Sequence, residues 1–233
     1  MIAIYTQLLY RPLLNFVVLL YNFIPGHDFG VSIIVLTAIV RAVFLPLTTK
    51  TVLSQRALNK INPQIKELKE KFKNDSAAQS AAVLKLYKDN NVNPVAGCLP
   101  LLIQLPILIA LYRVFLAGFK PENLSLLYHF VTNPGVINDT FLGLVKITKP
   151  NLFFTLLAGG LQFLQAKQMS IINKDQNVGA NKEMAAINAQ MLYFFPIMII
   201  IIGWNLPAGL MLYWITTTSL SIAEQSYIKK RYK

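Results

Sequence analysis

The run VSIIVLTAIVRAVFLPL, residues 31–47, decides how the rest of the chain is read. Only Ser32, Thr37 and Arg41 interrupt its apolar character. A bilayer core needs about 20 apolar residues in a helix, so this stretch is close to a full span. Four more stretches read the same way. Residues 95–118 are apolar and contain Pro100 and Pro106. Residues 151–166 are shorter, with Gly159, Gly160, Gln162 and Gln165 inside them. Residues 187–203 and 206–223 are separated by Trp204 and Asn205 alone, which predicts a tight antiparallel pair. The expected fold is therefore an all-α polytopic membrane protein with five transmembrane helices.

Composition agrees with that reading. Apolar residues make up 55% of the 233 and charged ones 14%, with mean hydropathy +0.48. Soluble domains carry about 25% charged residues. The net charge is +12, but the basic residues cluster between apolar blocks. That pattern points to topology and anionic lipid headgroups, or to an acidic partner such as a ribosome, with no specific DNA binding expected. The one cysteine, Cys98, lies in an apolar stretch and supports no disulfide framework. No basic leader followed by a small-residue cleavage site precedes a polar domain, so no signal peptide is expected.

Working outward, residues 1–25 set Leu9, Leu13, Phe16, Leu20 and Phe23 at helical spacing among polar residues, with Pro12 as an interruption. They predict an amphipathic helix lying at the interface within a segment 1–28, a first short span being the alternative. Pro25 to Asp28 form a turn. Residues 48–93 are basic, with Leu53, Leu58, Ile61, Ile65, Leu68 and Phe72 on one helical face. Asn62 and Pro63 suit the start of a helix, and Asn74 to Ser76 a break. This segment is expected to be a helical hairpin projecting from the membrane. The loop 119–150 is too polar to span, and 167–186 is a polar connector. Segments 48–93, 167–186 and the C-terminal tail hold sixteen Lys and Arg; the other side holds Arg11, Arg113, Lys120, Lys146 and Lys149. The positive-inside rule then puts the hairpin and C-terminus in the cytoplasm and the N-terminus outside.

Arg41 is the sharpest feature. An Arg at mid-span costs about 2.5–3.5 kcal/mol on insertion scales. No expected span has an Asp or Glu in its interior, and Glu224 is read as lying at a cytoplasmic end. Arg41 is therefore expected to face a wetted cavity without a carboxylate partner. Thr37 lies one turn earlier on the same face. Gln104, Gln162, Gln165, Thr216, Thr217 and Thr218 add neutral polar groups from other spans. Each alone reads as interhelical glue; together with Arg41 they would line one hydrophilic groove. Catalysis finds no footing. The two histidines, His27 and His129, are in loops, and the chain has no HExxH, GxSxG, P-loop or GxGxxG pattern. No catalytic residue, metal or cofactor is expected. A small-solute or ion transporter is the rival, opposed by the lack of an intramembrane carboxylate and of an internal repeat.

One motif is more specific than any of this. Residues 93–107 read NPVAGCLPLLIQLPI, which closely resembles the signature of the YidC/Oxa/Alb insertase family. TAIVRAVFLPLT at 37–48, QMLYFFPI at 190–197 and PAGLMLYW at 207–214 resemble that family's other core spans, in the right order. By this resemblance Arg41 matches the groove arginine and Thr37 a polar groove position. Tyr213 and Trp214 match an aromatic pair that contacts substrate helices. Hairpin 48–93 matches a cytoplasmic loop needed for activity, and the basic tail a region that approaches ribosomes. The family often has Asn where Thr218 stands, so an amide is lost there. A large external domain of many members is missing, as in the minimal core form. The resemblance implies a groove of Arg41, Thr37, Gln104, Gln165, Tyr213, Trp214 and Thr218, open to cytoplasm and lipid. Nascent membrane proteins would enter it, with or without the Sec translocon, in a bacterial inner membrane.

Overall fold

The computed structural model describes residues 5–93, 99–117, 125–174 and 182–232, with side chains except at 99–103, 116–117, 170–174 and 182–191. Cys98 and the rest of 94–98, Lys120, and the connector stretch 175–181 lie outside the described residues.

A π-helical turn, Thr6–Tyr10, leads into α1, Arg11–Phe23. Pro12 does not interrupt this segment. It sits in the first turn of α1, where its missing N–H costs little. The face that α1 buries is not the expected one: Leu14, Val17, Val18 and Tyr21 are buried against α2, whereas Leu9, Leu13, Phe16 and Leu20 are half-buried and Phe23 is exposed.

Helix α2 runs unbroken from Phe29 to Lys71, so the span expected at 31–47 and the first arm of the hairpin are one element. Asp28 caps it, its Oδ1 accepting from the Val31 amide at 3.0 Å. Asn62 and Pro63 start no helix; Pro46 and Pro63 both lie inside α2. Each proline removes one amide donor, a local cost that the surrounding turns absorb. Around Pro46 the hydroxyls of Thr48, Thr49 and Thr51 bond back to the carbonyls of Phe44, Leu45 and Leu47. Near Pro63, Ile61 and Ile65 pack with Val92, Leu86 and Tyr87, and the helix continues past the proline. The break at residues 74–75 is as expected: Asp75 caps α3, Ser76–Asp89, through the Ala78 amide.

Helix α4 is Leu99–Ala117. The loop after it holds an element the sequence did not suggest. Strands β1, Thr140–Phe141, and β2, Val145–Lys146, pair antiparallel around Leu142 and Gly143, both at positive φ. Helices α5, Leu152–Lys174, α6, Lys182–Gly203, and α7, Ala208–Arg231, follow, each longer than the span expected there. Among the described residues one helix, α2, is long and apolar enough to cross a membrane by itself; Gln104–Phe115 and Leu192–Gly203 are shorter apolar stretches.

Helix α7 is the hub. It packs on α2, α4 and α5, whereas α6 packs on α5 rather than pairing tightly with α7 as expected, the two being splayed apart on the same neighbour. Gly159 permits the contact of α6 with α5, since a Cβ there would collide with the Ile200 side chain. The end of the bundle formed by α1 and residues 125–151 is stitched by polar bonds. Buried Asn15 donates to the Arg11 and Leu126 carbonyls and accepts from the Tyr128 amide at 2.6 Å. Asp28 Oδ2 accepts from the Leu142 amide at 2.6 Å, and the Tyr21 hydroxyl accepts from the Asn138 amide at 2.9 Å. The first amides of α7, Ala208 and Gly209, would otherwise be orphaned; they donate to the carbonyls of Lys149 and Ile147.

Candidate functional site

Helix α7 carries two polar stripes, and the expected groove residues divide between them. Tyr213, Thr217 and Glu224 follow helical spacing on the side that meets α2 and α4. Trp214, Ser221 and Ser226 form the side that meets α5.

On the first side, Arg41 of α2 reaches across to α7. Its Nη2 lies 3.1 Å from Glu224 Oε2 and donates to the Thr217 carbonyl at 3.3 Å. Carbonyls tilt toward a helix's C-terminus and side chains lean toward its N-terminus, which is how two groups seven residues apart meet one nitrogen. The expectation of an unpaired Arg41 is thus corrected. Glu224 was read as lying beyond the last span, but α7 continues to Arg231 and the carboxylate leans back toward Arg41. The pair is not saturated. Glu224 Oε2 makes a charge contact without aligned hydrogen-bond geometry, and Arg41 Nε is buried with no hydrogen-bond partner among the described residues. The two side chains are 19% and 13% exposed, although Arg41 Nε and Glu224 Oε2 are themselves buried. Above them, Gln104 of α4 donates to the Tyr213 hydroxyl at 2.6 Å. An amide in an apolar helix between two prolines is thereby tied to α7.

Thr37 does not join this set by any bond. It is buried, and its hydroxyl donates to the Ile33 carbonyl of its own helix at 2.6 Å. Thr218 is also buried.

On the second side the bonds are between neutral groups. Trp214 Nε1 donates to Gln162 Oε1 at 3.1 Å. Gln165 donates to the Ser221 hydroxyl at 2.7 Å, and Gln168 to the Ser226 hydroxyl at 2.9 Å. Gln162, Gln165 and Gln168 recur every three residues, a ladder along α5 that faces α7. Thr216 bonds the Leu212 carbonyl within α7. The sequence reading missed Glu224, Ser221, Ser226 and Gln168. The repeat of three glutamines at that spacing was visible, and so was the continuation of the α7 pattern past residue 223.

Comparison with known proteins follows the same outline. The family described as 60Kd inner membrane protein matches residues 19–233. The Membrane protein insertase YidC of Fusobacterium nucleatum is 33% identical over 227 residues, covering 96% of this chain and 98% of that protein. That of Geotalea daltonii is 35% identical over 220 residues, covering 94% of this chain but 37% of its own length. A crystal structure described as an active YidC insertase with its first transmembrane domain resolved is 27% identical, with a TM-score of 0.64. The similarity covers 98% of this chain and 47% of that one. With helices, motifs and an inner-membrane family profile in agreement along most of its length, this chain belongs to the YidC group of 60Kd inner membrane proteins.

Proposed function

We propose that this chain is an insertase that receives nascent membrane proteins and passes their apolar segments into the bilayer. The observation that carries the reading is Arg41. It is a guanidinium deep in an apolar helix, with one edge held loosely by Glu224 and a buried Nε left without an acceptor. Such a group attracts acidic residues of an incoming polar tail and offsets their desolvation. Gln104 and Tyr213 supply neutral polar groups on the same side. The apolar segment then partitions into lipid, driven by its own burial. A membrane potential adds about 2.3 kcal/mol per charge per 100 mV, and no nucleotide is needed.

The topology that suits this function has five spans, in α2, α4, α5, α6 and α7, with α1 outside and the α2–α3 hairpin and C-terminus in the cytoplasm. The polar bonds among Asn15, Asp28 and residues 125–151 support a closed outer end. Lys50, Lys60, Lys66 and the tail residues Lys229 and Lys230 give the hairpin side a charge suited to anionic lipids and to a ribosome. Cooperation with a Sec translocon is compatible with this arrangement. Glu224 withdraws one argument against a solute transporter, but the lack of an internal repeat and the insertase names of the relatives favour insertion.

The test is reconstitution into proteoliposomes with a ribosome-bound single-span substrate. A photo-crosslinker at Gln104 is expected to capture the substrate, which becomes protease-protected. Transport of a small solute without such adducts would overturn the reading.

A further inference from the structure

We propose that Glu224 is an internal stand-in for the acidic group of the substrate, and that its competition for Arg41 sets which polar tails the groove accepts. The inference rests on the insertase reading above and specifies how its site discriminates.

The geometry carries it. A guanidinium binds a carboxylate most favourably along one edge, through two parallel N–H donors. The Nε–Nη2 edge of Arg41 is only half used. Nη2 meets Glu224 at 3.1 Å, whereas Nε, the other donor of that edge, is buried with no partner among the described residues. Glu224 itself makes no aligned hydrogen bond through its Oε2. The resting contact is thus a charge pair at one point, where a forked one is available. Thr217 supplies a carbonyl to the same Nη2, which fixes the guanidinium in place without filling the vacant donor.

A side chain in that state is primed for exchange. Glu224 is tethered to α7 and reaches Arg41 by leaning back along the helix, so it neutralises the Arg charge while no substrate is present. An incoming Asp or Glu that approaches the Nε–Nη2 edge makes both bonds and releases Glu224, whose side chain is 13% exposed. A neutral tail makes no such exchange and meets a closed ion pair. The contact therefore lowers the charge the empty groove shows and weakens its pull on acidic tails, leaving neutral ones little affected.

The experiment compares two single-span substrates, one with an acidic external tail and one with that tail made neutral, inserted by reconstituted full-length protein. In Glu224→Gln the ratio of acidic to neutral insertion is expected to rise about fivefold, the scale of losing one partly solvated competing charge pair. Glu224→Asp, one methylene shorter but still anionic, is expected to return the ratio toward the native value. In an Arg41→Ala background, Glu224→Gln is expected to move the ratio far less, since no guanidinium is left to compete for. A Glu224→Gln ratio equal to the native one overturns the proposal, as does an equal fall for both substrates in protein that melts at the native temperature. Failure of the underlying reading is distinct: native protein would then insert neither substrate, or Arg41→Ala would leave acidic insertion intact.

Discussion

The two faces of α7 are made from similar polar residues and teach different things. Toward α5, three glutamines meet an indole and two hydroxyls in a ladder of neutral hydrogen bonds. Toward α2 and α4, an ion pair, a carbonyl and an amide–phenol bond share the space, and one strong donor is left over. Neutral polar groups between membrane helices hold them together at modest strength, about 0.6 kcal/mol each on average. A charged group at comparable depth is far more costly, so leaving one of its donors unfilled is a cost that packing alone does not explain. In the proposed function this is the difference between a seam and a binding surface.

Removing the charge is the strongest way to break that comparison. Arg41→Ala is expected to reduce insertion of acidic-tailed substrates at least about tenfold, because the attracting group is gone and Glu224 is left without its counter-charge. Neutral-tailed substrates are expected to lose much less. Equal loss for both would make Arg41 a structural residue like those of the seam. Arg41→Lys, which keeps the charge but loses the planar fork, is expected to fall between native and Ala.

Next in size is the packing of the seam's outer partner. Gly159→Leu drives a branched side chain into Ile200, and overpacking of this kind costs about 1–3 kcal/mol. The expected result is a clear drop in melting temperature in detergent, with the ratio of acidic to neutral insertion unchanged. A shifted ratio would mean that the two faces are coupled through α5.

Water access sharpens the contrast between residues of the same face. In a Cys98→Ala background, a cysteine at Gln104 is expected to react with small water-soluble thiol reagents from the hairpin side of sealed vesicles. A cysteine at Thr37 is expected to react far more slowly, since Thr37 is buried within the α2 packing. Equal labelling would make the cavity wider than the bonds around Arg41 indicate. In the same vesicles, cysteines at Lys73 and Asn74 report which side the hairpin occupies.

The smallest effect belongs to the seam itself. Trp214→Phe removes the indole donor to Gln162 and keeps most of the ring, so a loss of about 0.6 kcal/mol is expected in a denaturation titration. Insertion is expected to stay near native. A large insertion defect would instead assign Trp214 to substrate contact.

How much of this was legible depended on the range of the forces involved. The apolar runs and the break at residues 74–75 follow from local pattern, and the structure has helices over the runs and a turn at the break. The tight pairing expected across Trp204 and Asn205 is not there, because α6 and α7 each pack on α5 instead. Boundaries were less legible. Pro63 read as a helix start because proline suits that position, yet α2 passes through it because Ile61 and Ile65 pack with Val92 and Tyr87 from a distant part of the chain. The β-hairpin at residues 140–146 was invisible for a similar reason: its turn is anchored by Asp28, more than a hundred residues earlier.

The sequence by itself determined that the chain is dissolved in a bilayer, that Arg41 lies deep in an apolar helix, and to which family its motifs are similar. Those properties reside in composition and spacing, which do not depend on what packs beside what. Only the tertiary structure decided that Glu224 meets Arg41, that Gln104 bonds Tyr213, and that the glutamines of α5 are occupied by α7. These pairings depend on side-chain reach across helix interfaces, and contacts between residues 109 and 183 positions apart have no trace in a local pattern.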